Sequence, residues 1–180
     1  MKILEEPKLV VTGFEVRRSD SAPIAKEVQT KIFEMVLKGA KKEEILQYVS
    51  QVREDLKAGK YGADSFGLPK GIKKELEDYG KTKKDGTKGS VPPHVRGVEF
   101  SKQHLGIRFD QRLKPRMIYV KSMPQGYPTT DVVCFESEKQ LPEGIVIDWD
   151  KQLQPLLERK VERIVGALGF EKTVSLEGFM

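Results

Sequence analysis

The chain has 180 residues, 38% hydrophobic and 33% charged, with a mean hydropathy of −0.48, which is enough apolar material for one core beneath a heavily charged surface. No apolar run approaches the roughly 20 residues that span a bilayer and no basic-then-apolar leader opens the chain, so a cytoplasmic protein without a membrane partner is expected. The single cysteine, Cys134, excludes an internal disulfide. Residues 8–16 (KLVVTGFEV) read as a strand interrupted by Gly13. Ser21 is placed to cap a helix with Pro23 in its first turn, and Ile24, Val28, Ile32, Met35 and Val36 recur at helical spacing up to Gly39. A second amphipathic helix covers residues 42–56 on Ile45, Leu46, Val49, Val52 and Leu56, stops at Gly59, and is expected to pack antiparallel to the first. Residues 59–93 are rich in Gly, Pro and Lys and read as loop, with a short helix near residues 72–79. Strands are predicted near residues 96–100, 116–121 and 131–136, forming a small antiparallel sheet. A last helix follows over residues 150–168, with Pro155 expected to kink it. The fold class is therefore α+β, helices packed with a small antiparallel sheet.

Charge is unevenly distributed. Residues 70–121 hold 14 Lys and Arg against 6 Asp and Glu, whereas the remainder holds 18 against 21. A basic middle third points to a polyanionic partner, since each cation brought to a phosphate releases condensed counterions.

Signals for chemistry are weak by comparison. Gly80-Lys81-Thr82 supplies the second half of a phosphate-binding loop, but Glu75 stands where the first glycine is required. One Cys and two His, His94 and His104, cannot make a four-ligand zinc site. Asp148 and Asp150 flank Trp149 just before the last helix, where a carboxylate caps free amides and opposes the dipole more readily than it holds a catalytic metal. Glu43, Glu44, Glu136 and Glu138 read as solvated charge, and Cys134, inside a strand pattern, reads as an inert buried thiol.

Three segments, in order, carry a family resemblance. Residues 91–100 (VPPHVRGVEF), following a Lys/Gly loop, resemble the P-x-H-V-R-G segment in the thumb of family B DNA polymerases. Residues 13–37 (GFEVRRSDSAPIAKEVQTKIFEMVL) are similar to the palm-to-thumb junction, and residues 148–170 (DWDKQLQPLLERKVERIVGALGF) to the last thumb helix with its internal proline. The resemblance implies residues 1–38 as a palm remnant, 39–170 as a thumb domain and 171–180 as a tail. It implies a chain that grips primer–template duplex DNA through the sugar–phosphate backbone, with Lys81, Lys83, Lys84, Lys88, His94 and Arg96 as contacts. The tail TVSLEGFM resembles the C-terminal peptide that engages a sliding clamp, through Leu176, Phe179 and Met180, with threonine in place of the usual glutamine.

The family's catalytic aspartates, fingers and exonuclease all lie upstream of anything in this sequence. The resemblance therefore implies a chain inactive alone: the small chain of a divided polymerase, or an expressed fragment. Its partner would be a large chain carrying palm, fingers and exonuclease, and Mg2+ would sit in that partner. Apolar surface left uncovered on the first helix and strand would follow from such a partner. Two rivals stand beside this reading: a stand-alone nucleic-acid-binding module, and an enzyme using Asp148, Asp150 and a metal.

Overall fold

The structure is a computed structural model that describes residues 20–73, 75–81, 89–109 and 114–169. The strand expected over residues 8–16, the tail at 171–180, and Lys83, Lys84 and Lys88 lie outside the described residues.

Helix α1 spans Pro23–Leu37 and α2 spans Lys42–Lys57. Their buried positions, Ile24, Ala25, Val28, Gln29 and Ile32 on α1 and Ile45, Val49, Val52 and Leu56 on α2, recur every three or four residues, the pattern that laid them out in the sequence. Gly39 and Gly59 end the two helices with φ of 81° and 76°, a left-handed conformation open to a residue without Cβ. Ser21 does not cap α1. The N-cap is Ala22, with Pro23 at the first helical position, and the Ser21 hydroxyl instead accepts a hydrogen bond from Lys160 Nζ at 2.5 Å. Glu44 is not merely solvated, since its carboxylate accepts the Lys41 N–H at 2.7 Å and closes the start of α2.

The stretch read as loop contains a one-turn helix α3 (Ala63–Phe66), a two-residue strand β1 (Leu68–Pro69) and a 3-10 turn at Leu76–Asp78. A reciprocal pair of bonds fixes α3: Glu138 Oε2 accepts the Asp64 N–H at 3.3 Å, and Asp64 Oδ1 accepts the Glu138 N–H at 3.1 Å. Glu138 is thus a capping group rather than free surface charge.

The strand expected over residues 96–100 is helix. Helix α4 runs Pro93–His104, because Pro93 occupies its first position with φ already helical and Val95, Val98 and Ser101 bury one face at helical spacing. The other two predicted strands form: β2 (Arg116–Ser122) and β3 (Val132–Phe135) pair antiparallel from Arg116↔Phe135 to Tyr119↔Val132. β1 pairs with β2 at Leu68↔Met117, and β4 (Val146–Ile147) joins β2 across an irregularity between Val120 and Ser122. β2 is therefore the spine of a four-stranded antiparallel sheet.

All four residues of β3 are buried, so both of its faces are covered. α4 covers one of them. Cys134 Sγ lies 3.3 Å from the His94 carbonyl, the Cys134 N–H reaches Ser101 Oγ at 3.2 Å, and a Cβ placed on Gly97 would meet Cys134 Sγ at 2.8 Å. His94, Gly97 and Ser101 thus form one helix edge laid closely on Cys134.

The closing helix is a composite of α5 (Trp149–Leu153), a wide π-type turn at Gln154–Glu158 and α6 (Arg159–Ala167). The disruption expected at Pro155 takes that form, since proline lacks the N–H and its ring crowds the carbonyl one turn earlier. Asp148 does cap, its Oδ1 accepting the Lys151 N–H at 3.2 Å. Gln152, fully buried, accepts the Tyr119 N–H at 2.9 Å and donates to the Phe66 carbonyl at 2.8 Å, tying α5 to β2 and to the end of α3. One core runs through α1, α2, the sheet and α6, from Ile24 to Ile164. Among the described residues no helix is long and apolar enough to cross a membrane. Leu37, at the end of α1, is 71% exposed, with Phe33, Met35 and Val36 half-buried beside it.

Candidate nucleic-acid interface

Three of the expected DNA contacts are described, and they sit around the start of α4. Gly80 and Lys81 come close to Gly89 and Val91: a Cβ on Gly89 would lie 2.8 Å from the Lys81 carbonyl oxygen, and one on Gly80 would lie 2.9 Å from Val91 Cγ2. Lys81 is exposed, and its Nζ holds Asp78 Oδ1 at 2.5 Å, a pairing that raises its pKa. Arg96, in the second turn of α4, makes a two-pronged bond to Asp131, Nη1 to Oδ1 at 2.9 Å and Nη2 to Oδ2 at 3.0 Å, with both side chains nearly half exposed.

His94 is half-buried. Burial lowers its pKa, and the neighbouring Lys70 cation lowers it further, so it stays neutral at physiological pH and presents no charge to phosphate. The arrangement has two consequences. Lys81 and Arg96 are each held by a carboxylate, so a phosphate must compete with Asp78 or Asp131 for their charge. The partnership of Arg96 with Asp131 spans 35 residues, and nothing local in the sequence announces it.

Two other features bound the chemistry. Burial pushes the Cys134 thiol well above its usual range, as expected of an inert core cysteine. The native chain should therefore resist thiol reagents at pH 8 and react once denaturant exposes Cys134; rapid reaction of the folded chain would contradict this placement. Because the folded pKa is raised, the unfolded state ionises first, so Cys134 contributes a loss of stability as pH rises above about 8.5, at up to about 1.4 kcal/mol per pH unit. The groove between α1 and α2, about 510 Å³, is lined by Glu27, Glu34, Asp55, Tyr48 and Tyr61 with Lys31 as a lone cation, a surface unsuited to phosphate. Tyr48 has a raised pKa there, through burial first and Glu27 second.

The rival metal site does not assemble. Asp148 is engaged at the start of α5 with Lys151, and among the described residues no group of three or more His, Cys, Asp or Glu could hold a metal ion. His104 lies against Phe100, with ring centroids 4.9 Å apart.

The described residues define an α+β chain in which α4 lies within the basic central stretch of the sequence and Asp78, Asp131 and Asp148 each pair with a cation. Comparison with known proteins adds the class. No family model matches the chain, but it is similar over nearly its whole length to a region of archaeal DNA polymerases. It is 33% identical to the DNA polymerase of Pyrococcus glycovorans over 168 residues, 93% of this chain and 20% of that protein. It is 28% identical to the DNA polymerase of Archaeoglobus fulgidus over 186 residues, 98% of this chain and 22% of that protein. A third, the DNA polymerase of Pyrococcus horikoshii, is 26% identical over 93% of this chain and 12% of its own length. The chain spans about a fifth or less of these relatives.

Proposed function

We propose that the chain is the duplex-holding thumb portion of a family B DNA polymerase and acts in DNA replication by gripping the sugar–phosphate backbone of primer–template. The observation that carries this reading is the 33% identity to a DNA polymerase across 93% of the chain. The local excess of positive charge over residues 70–121 supports it, because contacts to phosphate need cations and carry no sequence information.

The catalytic step, and the Mg2+ it uses, belong in this reading to a large chain or region carrying palm, fingers and exonuclease. Lys81, Lys83, Lys84, Lys88, His94 and Arg96 supply the backbone contacts in this reading, His94 as the neutral member. Leu176, Phe179 and Met180 form the tether to a sliding clamp.

Two unrelated duplex sequences of equal length, titrated against the purified chain, test the proposal. Affinities within a few-fold of each other are expected; a strong preference for one sequence, or no binding to either, contradicts it. The Arg96–Asp131 pair adds a directional prediction. Asp131→Asn removes the carboxylate that competes for the guanidinium, so duplex affinity should rise several-fold, and a fall would show that the ion pair serves only to hold α4 on β3.

A further inference from the structure

A second basic surface lies at the other end of α4. A groove of about 440 Å³ is lined by Lys102, Gly106, Ile107, Arg108 and Phe109. Ile107, 5% exposed, forms its floor, half-buried Phe109 its wall, and a Cβ on Gly106 would meet nothing within 4 Å, so the approach is open.

Lys102 and Arg108 are both exposed, and neither has a carboxylate partner among the described residues, in contrast to Lys81 and Arg96. Lys102 sits in the last turn of α4, where a cation also compensates the helix dipole. Arg108 lies beyond the helix end, where dipole compensation does not account for it. Lys102 lies six residues after Arg96 along the helix, about 9 Å of rise, so one rigid element carries both cations.

Resting on the duplex-binding reading above, we infer that the groove between Lys102 and Arg108 is a second contact for the sugar–phosphate backbone of a nucleic-acid strand. Lys102 and Arg108, with no ion pair to break among the described residues, meet phosphate oxygens directly, and Phe109 gives the sugar an apolar wall. This surface meets the strand with no carboxylate competitor among the described residues, whereas at the Arg96 end the phosphate competes with Asp131.

The test compares three full-length chains by duplex titration across a salt series: wild type, Lys102→Gln/Arg108→Gln, and a charge-matched control, Lys38→Gln/Lys41→Gln, in the α1–α2 link. The groove variant should flatten the slope of log affinity against log salt by about two, near one per lost phosphate contact, while the control keeps the wild-type slope. Thermal melting of each variant checks that the fold is retained. Equal weakening in both variants would reduce the effect to net charge and overturn the inference. So would a wild-type slope left unchanged by the groove variant, the result expected if an acidic protein occupies the groove instead. A wild-type chain with no salt-dependent binding would remove the duplex reading itself, and the groove assignment with it.

Discussion

Gln152→Leu should cost about 2–6 kcal/mol of folding stability, despite nearly matching the volume of the side chain it replaces. The fully buried amide satisfies the Tyr119 N–H on β2 and the Phe66 carbonyl at the end of α3, at 2.9 and 2.8 Å. Leucine leaves both backbone groups dry and unpaired, and each orphaned group costs about 1–3 kcal/mol. Against a typical domain stability of about 5–15 kcal/mol, that loss is large enough to read directly from the denaturant midpoint. A shift worth less than about 1 kcal/mol would mean that α5 is not tied to the sheet through this side chain.

The second large effect is at Gly97. Its Cβ position lies 2.8 Å from Cys134 Sγ, 3.3 Å from the Cys134 nitrogen and 3.4 Å from the Val133 carbonyl carbon, so any side chain pushes α4 away from β3. Alanine gains about 1 kcal/mol of helix propensity over glycine, and overpacking costs about 1–3 kcal/mol, so Gly97→Ala should be net destabilising and Gly97→Val more so. The nearest obstruction is a single sulfur atom. Cys134→Ala removes it and should recover most of the alanine penalty, leaving the propensity gain. Equal penalties in both backgrounds would place the strain in the β3 backbone instead. Because Arg96 sits next to Gly97, such variants should also disturb the Arg96–Asp131 pair.

These two residues show where sequence reading reaches and where it stops. The α1 and α2 helices were legible because their buried residues repeat every three or four positions, and β2 and β3 because β-branched residues cluster between turns. Helix α4 was misread. Val95, Val98 and Phe100 around a glycine imitate a strand, and the reason for that glycine, the approach of Cys134, comes from 37 residues downstream. α3 and β1 are too short to carry a period, and Gln152 joins elements separated by 86 residues through one polar side chain.

The site divides in the same way. The basic middle third and the P-P-H-V-R-G segment were visible in sequence, and so were Lys81 and Arg96. Their carboxylate partners were not, because Asp131 reaches Arg96 only through the packing of α4 on β3. Lys102 and Arg108 likewise border one groove only because residues 93–104 fold as a helix rather than a strand.

Measuring the affinity of the purified chain for duplex DNA across a salt series tests the central claim most directly. A grip on several phosphates predicts a linear fall of log affinity with log salt, with a slope of about −4 or steeper. A slope near zero would contradict it.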